Sequence, residues 1–312
     1  MMNSFYYGKS GKGDYRKEDL PKNRKQLFFE MLRVRFSGLV RLNLIYMLPM
    51  IPAMVVIAMS VLAWALNLSS LVEELGDTAT AWVQMQDVQG SLFYTGLLFL
   101  IPCILITGPF TAGIAYVTRN WARDEHSFVW SDFKDAMKQN WKQALITSGI
   151  TSVMPLIIYI CFMTYGQLAR DSALYVAPQA LVVMLGAVWS LMLLYMYPLM
   201  VSYTLSYRQL LKNALLLAIG RLPQSLLMRL ISLVPLLISV VVFYFTAALE
   251  IILVVVVLLY MVIFFALNRF IYASFTNAVF DKYINAHIEG AVVNRGMAED
   301  DDEYDEDDEQ DS

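Results

Sequence analysis

Charged residues are absent from six long stretches of this 312-residue chain. These stretches are residues 44–66, 92–117, 143–169, 172–207, 230–249 and 251–268. Each reaches the roughly 18 to 20 residues that a helix needs to cross about 30 Å of hydrocarbon. A soluble globular protein is excluded, because charged residues make up only 16% of the chain, against about 25% in soluble domains.

Groups that carry out chemistry are also scarce. The only cysteines, Cys103 and Cys161, lie inside apolar stretches and are too few for a disulfide framework or a zinc site. The two histidines, His126 and His287, are far apart in sequence, and there is no nucleotide-binding loop, dinucleotide fingerprint or zinc-protease motif. We therefore predict that the protein is not an enzyme, and that it has no cofactor, catalytic residue or metal site.

Lysine and arginine lie almost entirely on one side of the predicted spans. Ten precede the first span, five lie in 118–142, four lie in 208–229 and three follow the sixth span, whereas Arg170 alone lies on the opposite side. Basic connections between spans stay in the cytoplasm. The sequence therefore predicts a multi-pass protein of the cell membrane with both termini in the cytoplasm. Because topology already explains the basic residues, no nucleic-acid partner is expected.

The predicted fold is all-α, a six-helix transmembrane bundle with cytoplasmic amphipathic helices. Residues 1–41 form a basic cytoplasmic segment in which an interfacial helix, around 23–39, precedes the first span. Residues 42–285 form the membrane domain, and residues 286–312 form an acidic cytoplasmic tail. Residues 299–312 contain eleven acidic residues in fourteen, and we expect charge repulsion to keep them disordered. No removable signal peptide is expected.

The two larger cytoplasmic connections resemble each other in sequence, which indicates a parallel internal repeat. Residues 133–137 read Phe-Lys-Asp-Ala-Met and residues 211–215 read Leu-Lys-Asn-Ala-Leu. A second pair of matching pieces, 142–146 and 223–227, follows after three additional residues in the second copy. Each copy is predicted to consist of a descending span, a cytoplasmic helix and a rising span.

The cytoplasmic helix of each copy is predicted to be amphipathic, and in the first copy Ser131 is the expected N-cap. Apolar side chains at helical spacing line one face of each helix: Phe133, Met137 and Trp141 in the first copy, and Leu211 and Leu215 in the second. Two readings of these faces remain open. The helices either rest on the lipid headgroups or dock a cytoplasmic partner.

Small residues near the end of the second span predict a close contact between helices. Gly108, Ala112 and Ala115 fall near one helical face, and Pro109 lies beside them. Small side chains allow two membrane helices to approach closely. We therefore expect a neighbouring span to pack against this face.

Three stretches resemble a known family: residues 41–49, which include Asn43; residues 107–119, with the run Gly-Pro-Phe-Thr-Ala-Gly; and residues 211–215, which are followed by Leu-Pro at 222–223. Over residues 27–285 the chain resembles the YesL-like family of bacterial integral membrane proteins. That family is a domain of unknown function, whose members often lie beside sugar-binding proteins, ABC sugar permeases and glycoside hydrolases. The resemblance implies a setting in carbohydrate uptake, but it provides no activity and no functional residues.

Two functions are compatible with these observations. The first is a non-enzymatic accessory protein that assists or regulates carbohydrate uptake, with the lipid bilayer and ABC-type sugar transporter subunits as partners. The alternative is a small-solute carrier or channel for a sugar. Uncharged spans favour the accessory role, because substrate pathways usually contain buried charges, although aromatic and amide groups alone can bind an uncharged sugar. The candidate packing or interaction residues are Asn43, Gly108, Pro109, Ala112, Phe133, Met137, Trp141, Leu211 and Leu215.

The predicted topology can be tested by labelling single cysteines in intact cells. Cysteines introduced at positions 80 and 171 should react with a membrane-impermeant thiol reagent from outside, because they lie on the side that has few basic residues. A cysteine at position 305 should not react. The reverse pattern of labelling would show that the orientation is wrong.

Overall fold

A computed structural model describes residues 20–246 and 249–298, and this part of the chain contains helices but no strand. In chain order the α-helices are α1 (Arg24–Val34), α2 (Phe36–Leu75), α3 (Thr78–Trp121), α4 (Val129–Asp171), α5 (Val176–Ser202), α6 (Tyr207–Gly220), α7 (Leu222–Thr246), α8 (Leu249–Leu259) and α9 (Phe265–Tyr283). A π turn, Tyr260–Phe264, joins α8 to α9. The acidic residues 299–312 lie outside the described residues, as do residues 1–19.

The all-α prediction is confirmed, and so is the prediction of several helices able to cross a membrane. Five helices of the described part are long and apolar enough to do so, or six if α6 and α7 together count as one bent span. Their mean hydropathy is at least 2.0 over the most apolar window of each of the five. The chain is therefore a multi-pass membrane protein.

Residues 67–91, which separate the first two uncharged stretches, are mostly helical. Helix α2 has 40 residues and α3 has 44, so each is about 60 Å long, roughly twice the thickness of the hydrocarbon layer. Gly76 ends α2 with a positive φ of 65°, a conformation that glycine adopts without strain. The Asp77 carboxylate then accepts a hydrogen bond from the Thr80 backbone N–H at 2.9 Å. The connection between the two helices is thus a tight turn.

The two copies of the sequence repeat differ in the course of their helices. In the first copy α4 runs without a break from Val129 into the span, so no separate connecting helix exists there. In the second copy α6 and α7 are bent by 95° to each other. Lys142 of the first copy corresponds to Pro223 of the second, and a proline cannot donate the hydrogen bond that would continue α6. Pro223 instead occupies the second position of α7, where no such bond is needed.

The helix predicted around residues 23–39 is divided at Arg35 into α1 and the start of α2. Asn23 caps α1, because its side chain accepts a hydrogen bond from the Gln26 backbone N–H. Leu27 and Met31 are buried in a cluster with residues of α2, α3 and α9. The Phe28 ring stacks on that of Phe270, with 5.3 Å between the ring centroids. Helix α1 therefore packs against the protein through one face.

The two ends of the described chain meet at one end of the helical bundle. The Ala298 backbone N–H donates a hydrogen bond to the Pro21 carbonyl at 3.0 Å. Arg24 of α1 forms a salt bridge with Asp281 of α9, whose carboxylate is almost fully buried. Asp281 also accepts a hydrogen bond from the Asn294 backbone N–H at 3.1 Å. We refer to this end of the bundle as the terminal end.

Helices α3 and α4 make their closest contact at Gly108. A β-carbon added to Gly108 would lie 2.3 Å from the Ser148 Oγ and 2.4 Å from the Ala144 carbonyl oxygen. The Ser148 hydroxyl donates to the Leu105 carbonyl at 2.7 Å across the same contact. Because backbone atoms form part of the obstruction, a side chain at position 108 would force the two helices apart.

We expect Gly108→Leu to lower the folded fraction extracted in mild detergent, because overpacking costs about 1–3 kcal/mol or more. Gly220→Leu is the matched control, since no atom lies within 4 Å of a β-carbon at Gly220. Size-exclusion chromatography and thermal unfolding in detergent measure both variants. Equal recovery and equal heat resistance of the parent and Gly108→Leu would contradict close packing at this position.

Candidate functional site

A polar pocket of about 170 Å³ lies at the terminal end of the bundle. Its wall combines the last turns of α3, α5 and α9 with the chain segment that follows α9. The lining residues are Arg119, Arg123, Ser202, Tyr203, Asn277, Phe280, Asn285, Ala291 and Val292. Six of these nine side chains are polar or charged, so the pocket is suited to a hydrophilic ligand.

Arg119 is the central cation of this pocket. Its guanidinium donates to the Asn120 side-chain oxygen at 3.3 Å, and within the described residues it forms no salt bridge. The buried Arg119 Nε and the buried Ser202 hydroxyl have no hydrogen-bond partner in this part of the chain. Buried polar groups usually have partners. These two atoms therefore mark a place where a ligand or water would complete the hydrogen bonds.

The pocket also contains a fixed hydroxyl and two amides. The Tyr203 hydroxyl donates to the Asn285 side-chain oxygen at 2.7 Å, and the Asn277 amide donates to the Arg119 carbonyl at 3.3 Å. Burial, and after it the nearby Asp281 carboxylate, raise the pKa of Tyr203 to about 12 against the opposing effects of Arg119, Arg123 and the hydrogen bond to Asn285. Tyr203 therefore stays a neutral donor at physiological pH.

Carboxylates near the pocket already have cationic partners. Glu125 lies 3.3 Å from the Arg123 Nε and 3.1 Å from a terminal nitrogen of Arg295. Asp281 accepts from Arg24 and, at 2.6 Å, from the Asn285 amide. Three arginines thus share two carboxylates around the pocket, whereas Arg119 forms no salt bridge with a carboxylate among the described residues.

Asn43 makes a second polar contact, deep between α2 and the π turn. Its fully buried side chain donates to the Tyr260 carbonyl at 2.9 Å and to the Met261 carbonyl at 2.7 Å. The same side chain accepts a hydrogen bond from the Ala266 backbone N–H at 2.9 Å. A π turn interrupts the regular α-helical hydrogen bonds. One side chain of α2 therefore replaces the bonds that the turn disturbs.

The structure places the predicted packing residues of α3 at interior contacts. Ala112 is fully buried and belongs to a cluster centred on α5. Pro109 lies within α3, which continues as a helix on both sides of it. The Thr111 hydroxyl lies 2.8 Å from that of Tyr46, so this face of α3 also contacts α2.

The predicted apolar face of the first connecting helix is buried at one end and exposed at the other. Phe133 is only 1% exposed and lies against Gly113, whose added β-carbon would be 2.8 Å from the Phe133 ring. Met137 is half-buried, whereas Trp141 is 49% exposed. The cap is also displaced from Ser131, because α4 begins at Val129 and Asp132 accepts a hydrogen bond from the Phe128 backbone N–H.

The predicted face of the second connecting helix is displaced by one residue. The buried side of α6 consists of Leu210, Ala214 and Ala218, which pack on α5. Leu211 is partly buried at the edge of that cluster, and Leu215 is 37% exposed. Ser206 caps α6 in a capping box with Gln209, which determines where the helix begins and hence which side chains face α5.

Two arginines that the sequence analysis assigned to connections lie inside helices. Arg229 of α7 donates to the Ser190 carbonyl and, at 3.3 Å, to the Tyr272 hydroxyl. Arg269 of α9 lies over the rings of Tyr197 and Tyr272, 5.3 Å and 5.9 Å from their centroids. Aromatic faces and a backbone carbonyl thus stabilise the positive charges of these two arginines, a role that carboxylates usually have.

A comparison with family models finds one match. Residues 81–162 match the family described as "Protein of unknown function, DUF624". This match confirms the resemblance to an uncharacterised family of the YesL-like kind. No curated protein and no solved structure matches.

The DUF624 match covers most of α3 and the greater part of α4. It therefore includes the contact at Gly108, the buried Phe133 and the exposed Trp141. It also includes Arg119 and Arg123, but the rest of the pocket wall comes from the end of α5, from α9 and from the segment after α9. Asn43 and the second connecting helix lie outside the DUF624 match.

Sequence reasoning missed the pocket, since its residues come from four separate parts of the chain. Asn285 and Asn277 lie near the end of the last helix, and nothing in their spacing points to Arg119. One signal was available at Arg119, which ends the run at 107–119 used for the family resemblance. Only the packing of α3 against α9 brings that arginine to the two asparagines.

We expect Asn43→Ala to destabilise the protein by several kcal/mol at most, because each buried group left without a partner costs about 1–3 kcal/mol. The loss should be accompanied by faster hydrogen exchange at the Ala266 amide. Asn67→Ala is the matched control on the same helix, because the Asn67 amide bonds only to the Ala63 carbonyl one turn away. Similar thermal unfolding of both variants would contradict a supporting role for Asn43.

Proposed function

We propose that this protein is a non-enzymatic accessory protein of the cell membrane that assists or regulates carbohydrate uptake. One observation carries the proposal. The interior between α3, α4 and α5 is filled by close helix contacts, while large aromatic side chains remain exposed in the first part of α4 and just before it. A filled interior with an exposed aromatic surface favours a protein that contacts other proteins over one that conducts a solute.

Glycine contacts support the filled interior. Added β-carbons would lie 2.8 Å from Phe133 at Gly113 and 2.3 Å from Ile158 at Gly186. With the contact at Gly108, these positions join α3 to α4 and α4 to α5. Helices that approach so closely leave little space between them for a solute pathway.

The topology proposed for this function has six crossings and cytoplasmic termini. The hydrogen bond between Ala298 and Pro21 joins the two ends of the described chain, which supports an even number of crossings with both termini on one side. Counting α6 and α7 as one bent span provides the sixth. The basic connections lie at the same end as Pro21, and basic connections remain in the cytoplasm. Helix α6 would then lie along the inner membrane surface as a cytoplasmic amphipathic helix.

Exposed aromatic residues provide the proposed contact surface at the start of α4. Phe128 is 66% exposed, Trp130 is 60% exposed and Trp141 is 49% exposed. Tryptophan is enriched both at protein interfaces and at the membrane surface. Among the residues predicted to form a docking face, Trp141 keeps this role, whereas the buried Phe133 does not.

The proposed link to carbohydrate uptake rests on the resemblance to the YesL-like family, whose members often lie beside ABC sugar permeases and sugar-binding proteins. The proposed partner is accordingly an ABC-type sugar transporter subunit. The bilayer is the second partner, because apolar side chains of α5 such as Leu181, Met184 and Leu185 are more than half exposed.

The proposal can be tested by recovering partners from membranes in a mild detergent. We expect Trp130→Leu and Trp141→Leu to lower recovery of a sugar permease without affecting membrane insertion, since a protein interface is sensitive to side-chain shape and lipid is not. Phe99→Leu is the matched control, because Phe99 is 60% exposed in the apolar part of α3. Stoichiometric recovery should be measured by mass spectrometry.

Two results would contradict the accessory role. One is recovery of the permease that is the same for the parent and both tryptophan variants. The other is sugar uptake by the purified protein in liposomes without any partner, which would establish the alternative, a carrier or channel for a small solute.

A further inference from the structure

We propose that the pocket around Arg119 binds the phosphate ester of a small polyol. The phosphate would contact the Arg119 guanidinium, and hydroxyl groups of the polyol would bond to Ser202 and Asn277. This inference concerns a ligand of the terminal end and does not depend on whether the protein assists carbohydrate uptake.

Charge is the first reason for an anionic ligand. Glu125 and Asp281, the carboxylates beside the pocket, already accept from Arg123, Arg295 and Arg24. Arg119 contributes a further positive charge that has no carboxylate partner among the described residues. A guanidinium matches the oxygens of a phosphate in geometry and charge, and such bonds are about twice as strong as neutral ones.

Unsatisfied hydrogen bonds are the second, independent reason. Arg119 and Ser202 both line the pocket, and the Arg119 Nε and the Ser202 hydroxyl are buried atoms that lack partners in the described part of the chain. One is a donor only, and the other can donate or accept. A ligand that satisfies both carries a charged oxygen and a hydroxyl group, as a polyol phosphate does.

The size of the pocket sets the third constraint. Its volume of about 170 Å³ far exceeds the ~10–15 Å³ that one water requires. Inorganic phosphate alone would leave part of this space empty. A phosphate with a short polyol chain fills it better, and the Asn277 and Asn285 amides provide the type of group that binds hydroxyls.

The C-terminal segment covers the pocket after the polypeptide leaves α9. Ala291 and Val292 line the wall, and the Val292 carbonyl accepts from Arg123 at 3.5 Å. Residues 299–312, which follow closely in sequence, contain eleven carboxylates. Because these carboxylates are anions of the chain itself, the probe is compared with sodium chloride of equal ionic strength.

The test measures thermal unfolding of the full-length protein in a zwitterionic detergent that contains no sugar. Glycerol 3-phosphate is the probe, and glycerol and sodium chloride of equal ionic strength are the neutral and ionic controls. We expect glycerol 3-phosphate to raise the unfolding temperature and the two controls to have no such effect, because a ligand that binds only the folded state stabilises it. Nanodiscs with and without phosphatidylglycerol test the same chemistry when it is supplied by a lipid headgroup.

Two variants connect the effect to the pocket. Arg119→Gln should weaken binding of the probe roughly ten- to a hundredfold, the usual value of a hydrogen bond to a charged group. Ser202→Leu should block binding by filling the pocket without changing its charge. This variant therefore tests the proposal even if Arg119→Gln does not fold. Arg208→Gln is the matched control, because Arg208 is an exposed arginine of α6 and its removal changes the net charge equally.

The outcomes separate clearly. Stabilisation by glycerol 3-phosphate that is lost in Ser202→Leu and kept in Arg208→Gln supports the proposal with a soluble ligand. Stabilisation by phosphatidylglycerol alone, with the same dependence on the variants, supports it with a lipid as the source. The proposal is overturned by equal effects of the probe and sodium chloride, or by stabilisation that persists in Ser202→Leu.

Discussion

A peptide N–H or C=O group that faces hydrocarbon without a hydrogen-bond partner costs several kcal/mol, and this requirement shapes the whole molecule. Long helices satisfy it along most of the chain. Besides the prolines inside helices, the bend between α6 and α7 and the π turn Tyr260–Phe264 disturb the regular bonding in the described part of the chain. The bend lies at the end of a span, where Pro223 begins a new helix. The π turn lies inside one, where the Asn43 side chain provides the missing bonds.

Contact between helices depends on small residues rather than on burial of apolar surface from water. Lipid chains are as apolar as leucine, so spans associate through close packing and hydrogen bonds between helices. Because Gly108 and Gly113 have no side chain, α4 packs directly against the backbone of α3 at these positions. The Ser148 hydroxyl forms a hydrogen bond across that contact. The same packing carries Phe133 into the interior, which leaves the neighbouring tryptophans as the exposed part of this region.

The terminal end differs from the spans in its chemistry. Arg24, Asp281 and Asn294 join the first helix to the segment after the last one. This network closes one side of the pocket around Arg119 and holds the C-terminal segment over it. Charged residues at this end therefore build the site with the clearest capacity to bind a ligand.

Local properties of the sequence determined the helical class, the several membrane-spanning segments and the concentration of basic residues at one end, because hydropathy and charge act on each segment separately. The position of Pro223 likewise determined the bend. Only tertiary structure decided what Asn43 supports, because its partners lie more than 200 residues away. It also decided that Phe133 is buried while Trp141 is exposed. Both residues belong to one apolar face of α4, but other helices cover only part of that face. The pocket was beyond prediction for the same reason, as Arg119, Ser202 and Asn277 meet only when α3, α5 and α9 converge.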